Sequence, residues 1–312
     1  MGRVPQRFLL ALTVIVALVA GCSSGSRETT APDTAAQSTI VPGTTAPGAT
    51  APPPPDKSDR SGTAPTAELP ITSRELDFAR GKDRPLPTTV WYPTEGEKPF
   101  PLVVFSHGLT SEPEAYAAIL KAWAKAGFVV AAPKFPHTKY QARDYDPVDV
   151  INQPADASEV ITRMLAYGKK HGDLIDPTRI AAAGHSAGGI TTIGLLSANR
   201  DDRLTAAVVL SGRQVLPIPF QGDAVPTLFV HGKLDKTVPF KDGKAAFDAV
   251  RWPKALLTVT EGGHVAITKE FPPVIATTTD FLRYALYGDA TARGRLEKDA
   301  TKGGLATLTD RL

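Results

Sequence analysis

From Glu68 onward, short apolar runs alternate with segments whose apolar residues recur every three to four positions. The runs Ile71–Ala79 and Thr88–Tyr92 predict two opening strands. Leu102–Ser106, Phe128–Ala132, Arg179–Ala183, Thr205–Leu210, Thr227–Val230 and Ala255–Thr260 predict six more. Several of these are apolar at nearly every position, the pattern of strands covered on both faces. Helical spacing appears at Pro113–Ala126, stopped by Gly127, at Ala155–Tyr167, and at Gly189–Ala198. It recurs at Lys241–Val250 and Pro273–Tyr287. Strands alternating with helices of this length predict an α/β fold: a mostly parallel sheet with helices on both faces. No internal repeat interrupts the series.

The first part of the chain has a different pattern. Arg3 and Arg7 precede an apolar run, Phe8–Ala20, that ends at Gly21-Cys22. A basic start, an apolar middle and a small-residue cleavage site predict a signal peptide over residues 1–21. The run is short for a membrane span. Residues 22–67 are mostly Ser, Thr, Ala, Pro and Gly, including Pro52-Pro53-Pro54-Pro55. They offer no core to offset ordering entropy, so they read as a disordered tether. The folded domain is then 68–312, about 245 residues, enough for one substantial core.

Composition narrows the chemistry. Of the 312 residues only Cys22 is a cysteine, which excludes an internal disulfide, a cysteine metal site and a catalytic thiol in the domain. Loss of residues 1–21 removes two arginines and no acids, leaving 33 basic against 32 acidic side chains. That balance gives no sign of a nucleic-acid partner. Nor does the sequence imply a metal, a cofactor or a protein partner.

The most informative stretch is Gly184-His185-Ser186-Ala187-Gly188, between a predicted buried strand and a predicted helix. A G-x-S-x-G pentapeptide in that setting places Ser186 on a strained turn with a helix N-terminus aimed at it. A serine nucleophile needs a base, held in one tautomer by an acid. Of six histidines, His264 alone comes late, in Glu261-Gly262-Gly263-His264 after a predicted strand. His231 reads as structural, and His185 as pointing away from the nucleophile, packed or hydrogen-bonded behind its strand. His107 belongs to the loop after the Leu102 strand, and His137 and His171 to polar loops. For the acid, Asp235 lies just past the Thr227 strand. Its rival Asp223 precedes that strand, and Asp242 falls where a helix cap belongs. Ser186, Asp235 and His264 all follow strand ends, where α/β sheets place their sites. Two N–H donors are needed for a tetrahedral oxyanion. Ala187 is one, and the other lies in Ser106-His107-Gly108-Leu109-Thr110. Leu109 is preferred there, with Gly108 and Thr110 as alternatives.

In order along the chain, the His107-Gly108 loop, Gly184–Gly189, Gly232–Pro239 and Gly262-Gly263-His264 resemble the motifs of the α/β-hydrolase superfamily. Phe105–Thr110 and Gln153-Pro154-Ala155-Asp156 resemble one branch of it. That branch holds platelet-activating-factor acetylhydrolases, dienelactone-hydrolase-like proteins and cutinase-like polyesterases. The resemblance implies hydrolysis of carboxylic esters, small or polymeric, without a cofactor. The chain departs from dienelactone hydrolases proper in having Ser186 where they have cysteine, and from polyesterases in lacking their disulfide. Val19-Ala20-Gly21-Cys22 resembles a bacterial lipobox, which implies a diacylglycerol on Cys22 and anchorage to the outer face of the cytoplasmic membrane.

Gly212–Val225 is short, which predicts a minimal lid or none and an open cleft. Its wall candidates are Phe135, Pro136 and Tyr140 after the Phe128 strand, and Val215, Leu216 and Ile218; ordinary loop packing is the alternative for each. Tyr116 and Trp123 are weaker candidates, since helix aromatics usually pack in cores. Acyl transfer through the same acyl-enzyme, and a silent binding protein on the same fold, are the other functions compatible with this sequence.

Overall fold

The structure, a computed structural model, describes residues 62–264 and 272–312. The predicted signal peptide, Cys22 and the tether up to residue 61 lie outside the described residues. The described residues form a sheet of nine strands: β1 (Ile71–Arg80), β2 (Arg84–Pro93), β3 (Phe100–Ser106), β4 (Val129–Pro133), β5 (Ile175–His185), β6 (Leu204–Leu210), β7 (Thr227–Gly232), β8 (Lys254–Val259) and β9 (Ala306–Arg311). Their spatial order is β1-β2-β4-β3-β5-β6-β7-β8-β9. The five pairs from β4–β3 to β7–β8 are parallel. The pairs β1–β2, β2–β4 and β8–β9 are antiparallel.

Helices cover both faces. They are α1 (Ala117–Lys125), α2 (Gln153–Lys170), α3 (Ala187–Leu195), α4 (Phe240–Ala249), α5 (Pro272–Tyr287) and α6 (Ala290–Thr301). The continuous apolar runs follow from this layering, because successive side chains of a strand face opposite layers. In β3, Val103 and Phe105 pack with Trp123 of α1 and Phe281 of α5. Leu102 and Val104 pack on the other face with Ile161 of α2, Ile193 of α3 and Phe247 of α4. Either face alone would leave half of each strand's apolar surface in water, so neither set of helices is dispensable.

Two elements were not predicted. Helix α6 buries only Ala292, Leu296 and Ala300 of its twelve residues, and their small area gives a faint periodic signal. Strand β9 is an edge strand with one buried residue, Ala306, and is held mainly by its ladder to β8. Strand β5 starts at Ile175, earlier than the apolar pattern indicates, and its register to β6 shifts between Ile180 and Ala181.

Residues 62–67, read as the end of the tether, lie on the folded unit. Arg283 Nη1 donates to the Pro65 carbonyl at 2.7 Å, and Ala64 packs against the core. Residues 211–226 join β6 to β7 without helix or strand, so this connection carries no helical lid.

Candidate active site

The parallel strands deliver chemistry to one edge. His107 follows β3, Ser186 follows β5, Asp235 follows β7 and His264 follows β8. Ser186 is the hinge between β5 and α3, with φ 58° and ψ −116°. Few non-glycine residues adopt such angles, and doing so costs about 1–3 kcal/mol. The surroundings enforce it. The Ser186 N–H donates to the Leu210 carbonyl at 2.9 Å, and its own carbonyl accepts from Ile190 N–H at 3.0 Å. A Cβ on Gly184 would lie 2.2 Å from the Gly188 carbonyl oxygen, and one on Gly188 would lie 1.8 Å from that of Ser106. The turn therefore closes only with glycine at both positions, which is the physical content of the pentapeptide.

Ser186, His264 and Asp235 are 29 or more residues apart in pairs, and the fold brings them into hydrogen-bond contact. His264 Nδ1 lies 2.8 Å from Asp235 Oδ2, and His264 Nε2 lies 2.8 Å from Ser186 Oγ. A carboxylate only accepts, so Nδ1 carries the proton and the Nε2 lone pair accepts from the serine hydroxyl. The other carboxylate oxygen, Oδ1, accepts from the N–H groups of Thr237 and Val238 at 2.8 and 2.9 Å. Burial alone would raise the Asp235 carboxyl. The bond from His264, that group's charge and the two backbone donors outweigh it and hold the group below its ordinary range. Asp235 is thus a fixed anion, and it orients the His264 ring with Nε2 toward the Ser186 hydroxyl.

His231 sits close by, 3.5 Å from Asp235 Oδ2. Its Nε2–H donates to the Val238 carbonyl at 2.9 Å, and burial lowers its pKa. It braces the Asp235 loop and remains neutral. Asp242 lies in the first turn of α4, and Asp223 precedes β7.

The loop after β3 is resolved by its hydrogen bonds. Gly108 N–H donates to Tyr116 Oη at 3.1 Å, and Thr110 N–H donates to the Thr138 carbonyl at 2.7 Å. Both alternatives to Leu109 are therefore committed elsewhere. The N–H groups of Leu109 and Ala187 have no acceptor among the described residues. Ala187 opens α3, whose first N–H groups have no partner within the helix. His107 fixes this loop. Its Nδ1–H donates to the Gly108 carbonyl at 2.8 Å, and its Nε2 accepts from Phe135 N–H at 3.1 Å. Full burial pulls its pKa down to about 4, so the ring is neutral.

That bond corrects the reading of Phe135 as a wall residue. The side chain is 0% exposed, within the core on the α2 side of the sheet, and its backbone supports His107. Val215 and Leu216 do face open space. With Val150, Ile151, Pro154 and Ile190 they line an apolar groove beside α3. Ile190 N–H bonds the Ser186 carbonyl, so the groove borders the turn that carries Ser186. Tyr140 and Ile218 are exposed, while Trp123 is core.

Three polar residues that support the site were missed or misread. Gln153 is fully buried. Its Nε2 donates to Thr138 Oγ1 at 2.6 Å, and its Oε1 accepts from Thr191 Oγ1 at 2.7 Å. It thereby joins the loop holding Thr110 to α3. His185 does make hydrogen bonds, but on the His264 side, 2.7 Å from that residue's carbonyl. Tyr116 bonds both Gly108 and His185. In the sequence Gln153 and Tyr116 look like ordinary helix-start residues. The one usable signal was His185, a polar group at the end of a buried strand, which must find partners. Among the described residues no group of three or more His, Cys, Asp or Glu is placed to hold a metal.

With the geometry in hand, comparison with known proteins places the fold. Residues 61–211, just under half of the chain, match the family model described as Chlorophyllase. The chain is also 28% identical over 193 residues to a Bacillus subtilis (strain 168) protein described as "Putative esterase YitV". That alignment covers 48% of this chain and 74% of the relative. This is an α/β-hydrolase fold. The family match runs from before β1 through β6 and so includes Ser186 and the loop after β3. In an α/β-hydrolase the carboxyl edge of the parallel strands is where a ligand sits, which is where the hydrogen-bonded Ser186, His264 and Asp235 lie.

Proposed function

We propose that this α/β-hydrolase is a serine carboxylic-ester hydrolase working through an acyl-enzyme, anchored by lipid on Cys22 at the outer face of the cell membrane. The observation that carries the chemistry is the His264 bridge, 2.8 Å to Ser186 on one side and 2.8 Å to Asp235 on the other. His264 Nε2 takes the hydroxyl proton as Ser186 Oγ attacks the ester carbonyl carbon. The carbonyl electron pair moves onto oxygen, where the Leu109 and Ala187 N–H groups stabilise it. The tetrahedral intermediate collapses, and His264 returns the proton to the departing alkoxide. Water, deprotonated by the same nitrogen, then attacks the acyl carbon, and Ser186 leaves with the proton from His264. Asp235 keeps its charge throughout and stabilises the imidazolium.

Support for an ester substrate comes from the relative described as an esterase and from the family described as Chlorophyllase. The apolar groove of Val150, Ile151, Pro154, Ile190, Val215 and Leu216 suits the hydrocarbon part of the ester. Hydrolysis of a short p-nitrophenyl ester tests the chemistry. Ser186→Ala should abolish turnover and labelling by a fluorophosphonate while the protein still melts cooperatively; turnover that persists would refute the assignment. Anchorage is tested separately. Cys22→Ser should move the protein from the membrane fraction to the soluble one.

A further inference from the structure

We propose that Tyr116 and His185 form a positioning relay that sets the oxyanion loop and the base His264 together. This rests on the reading of Ser186 and His264 as nucleophile and base. Donor and acceptor assignments admit one continuous chain. The His264 carbonyl can only accept, so His185 Nε2, 2.7 Å away, carries the proton and donates. Burial pulls the His185 pKa down to about 3, so the ring is neutral and its Nδ1 is a bare lone pair. That lone pair accepts from Tyr116 Oη–H at 3.1 Å. Tyr116 Oη in turn accepts from Gly108 N–H at 3.1 Å. The relay therefore runs Gly108, Tyr116, His185, His264, from the residue before the Leu109 donor to the backbone of the base.

Each end needs this restraint. His264 lies on a glycine-rich loop past β8, and its backbone makes no other hydrogen bond among the described residues. Gly108 precedes the Leu109 donor and can swing through a wide range of backbone angles. Its N–H bond to Tyr116, with the grip of His107 on its carbonyl, removes that freedom. The relay members are buried, Tyr116 at 7% and His185 at 5% exposure, so loss of one leaves its neighbours unsatisfied instead of hydrated. Their rings also pack, with centroids 5.7 Å apart, and the His185 ring lies 4.9 Å from that of His264. A nucleophile needs the base and the oxyanion donors at one fixed separation, and an error near 1 Å at either costs about 100-fold. The residue next to the nucleophile is well placed to hold both.

Tyr116→Phe, His185→Leu, His185→Gln and the double variant Tyr116→Phe/His185→Leu decide the matter, each checked for a cooperative melt. Competent sites are counted by fluorophosphonate labelling. For a p-nitrophenyl ester, Tyr116→Phe should lower kcat about 10- to 100-fold with KM within about twofold. Affinity for a trifluoromethyl ketone, which forms the tetrahedral adduct, should fall by the same factor as kcat/KM. His185→Leu should lose at least as much. His185→Gln, whose amide N–H reaches the His264 carbonyl, should recover most of that loss. The double variant should be no worse than the poorer single, because either substitution cuts the same chain. Losses that multiply in the double variant, or kcat within about threefold of the parent in Tyr116→Phe and His185→Leu, would overturn the relay. If His185→Leu does not fold, Tyr116→Phe, which removes one oxygen, decides alone. Ser186→Ala is run alongside. Turnover surviving there defeats the proposed function itself, whereas its loss with Tyr116→Phe intact defeats only the relay.

Discussion

Two buried carboxylate clusters of this molecule use the same acid and differ in the partner. At the carboxyl edge of the sheet, Asp235 faces the imidazole of His264. At the start of α2 and in the turn before it, Asp156 and Asp149 face guanidinium groups. Arg84 donates from Nη1 and Nη2 to both oxygens of Asp149, at 2.9 and 2.8 Å, and from Nε to Asp156 at 2.8 Å. Arg80 adds a bond to Asp156 at 2.7 Å. Hydrogen bonds to Asp156 and Asp149 raise the Arg84 pKa still further, so this cluster never releases a proton in water. It ties the β1–β2 hairpin to α2 and the turn before it. The imidazole beside Asp235 has one donor and one acceptor, so it links the carboxylate to the Ser186 hydroxyl instead of closing an ion pair. Burial of an acid therefore marks neither structure nor function. The hydrogen-bonding chemistry of its partner separates them.

The comparison is broken most severely at Ser186, the proposed nucleophile. Ser186→Ala should lower kcat by about 10⁴-fold or more, read by steady-state ester hydrolysis. Asp235→Asn should cost about 10³- to 10⁴-fold in kcat, because the amide no longer selects the His264 tautomer. Its melting temperature should move little beside that loss. The opposite signature belongs to Arg84→Met. Two buried carboxylates lose their main counter-charge, and urea unfolding should report about 3–5 kcal/mol less stability with kcat per competent site unchanged. A fall in kcat with full stability would mean that the arginine cluster is coupled to the site.

The mildest test uses pH. His107 and His185 are held at about 4 and 3 when folded, both below the usual histidine value, because burial disfavours the charged ring. Between pH 6.5 and those values the unfolded chain binds protons that the folded chain refuses. Stability is thus complete above the ordinary histidine pKa and is lost as pH falls. Each of the two rings should contribute a slope of about 1.4 kcal/mol per pH unit near pH 5. His185→Gln should flatten the pH dependence of the unfolding free energy by that amount. An unchanged slope would mean that His185 is not kept neutral by the fold.

Much of the fold was legible because its signals are redundant. The runs at Val103, Ala131, Ala182, Val208 and Val230 are buried in the sheet. Such runs fit a parallel sheet and little else. The parts that escaped have weak signals. Helix α6 buries two alanines and one leucine, and β9 takes its stability from main-chain bonds that any sequence can make. At the site, Ser186, Asp235 and His264, which the structure brings into hydrogen-bond contact, are each marked in the sequence by a motif or a position after a strand. Phe135 was misplaced because an aromatic after a strand looks the same whether it turns toward solvent or under the loop. Tyr116 was read only as a core or cleft aromatic and Gln153 only as part of a motif, since neither residue type is unusual where it stands.

The sequence by itself determined where chemistry can occur. The glycine at 184 is demanded by a contact within its own turn, and the order of strands sends Ser186, Asp235 and His264 to one edge. These are local constraints and consequences of chain direction, so they are written in the residues. Tertiary structure decided which groups hold that chemistry still. The choice of Leu109 over Gly108 and Thr110 depends on where Tyr116 Oη and the Thr138 carbonyl lie. The role of His185 depends on a carbonyl 79 residues away. Hydrogen bonds between distant segments depend on orientation to within tenths of an ångström, and the packed core fixes that orientation only when the whole sheet is assembled.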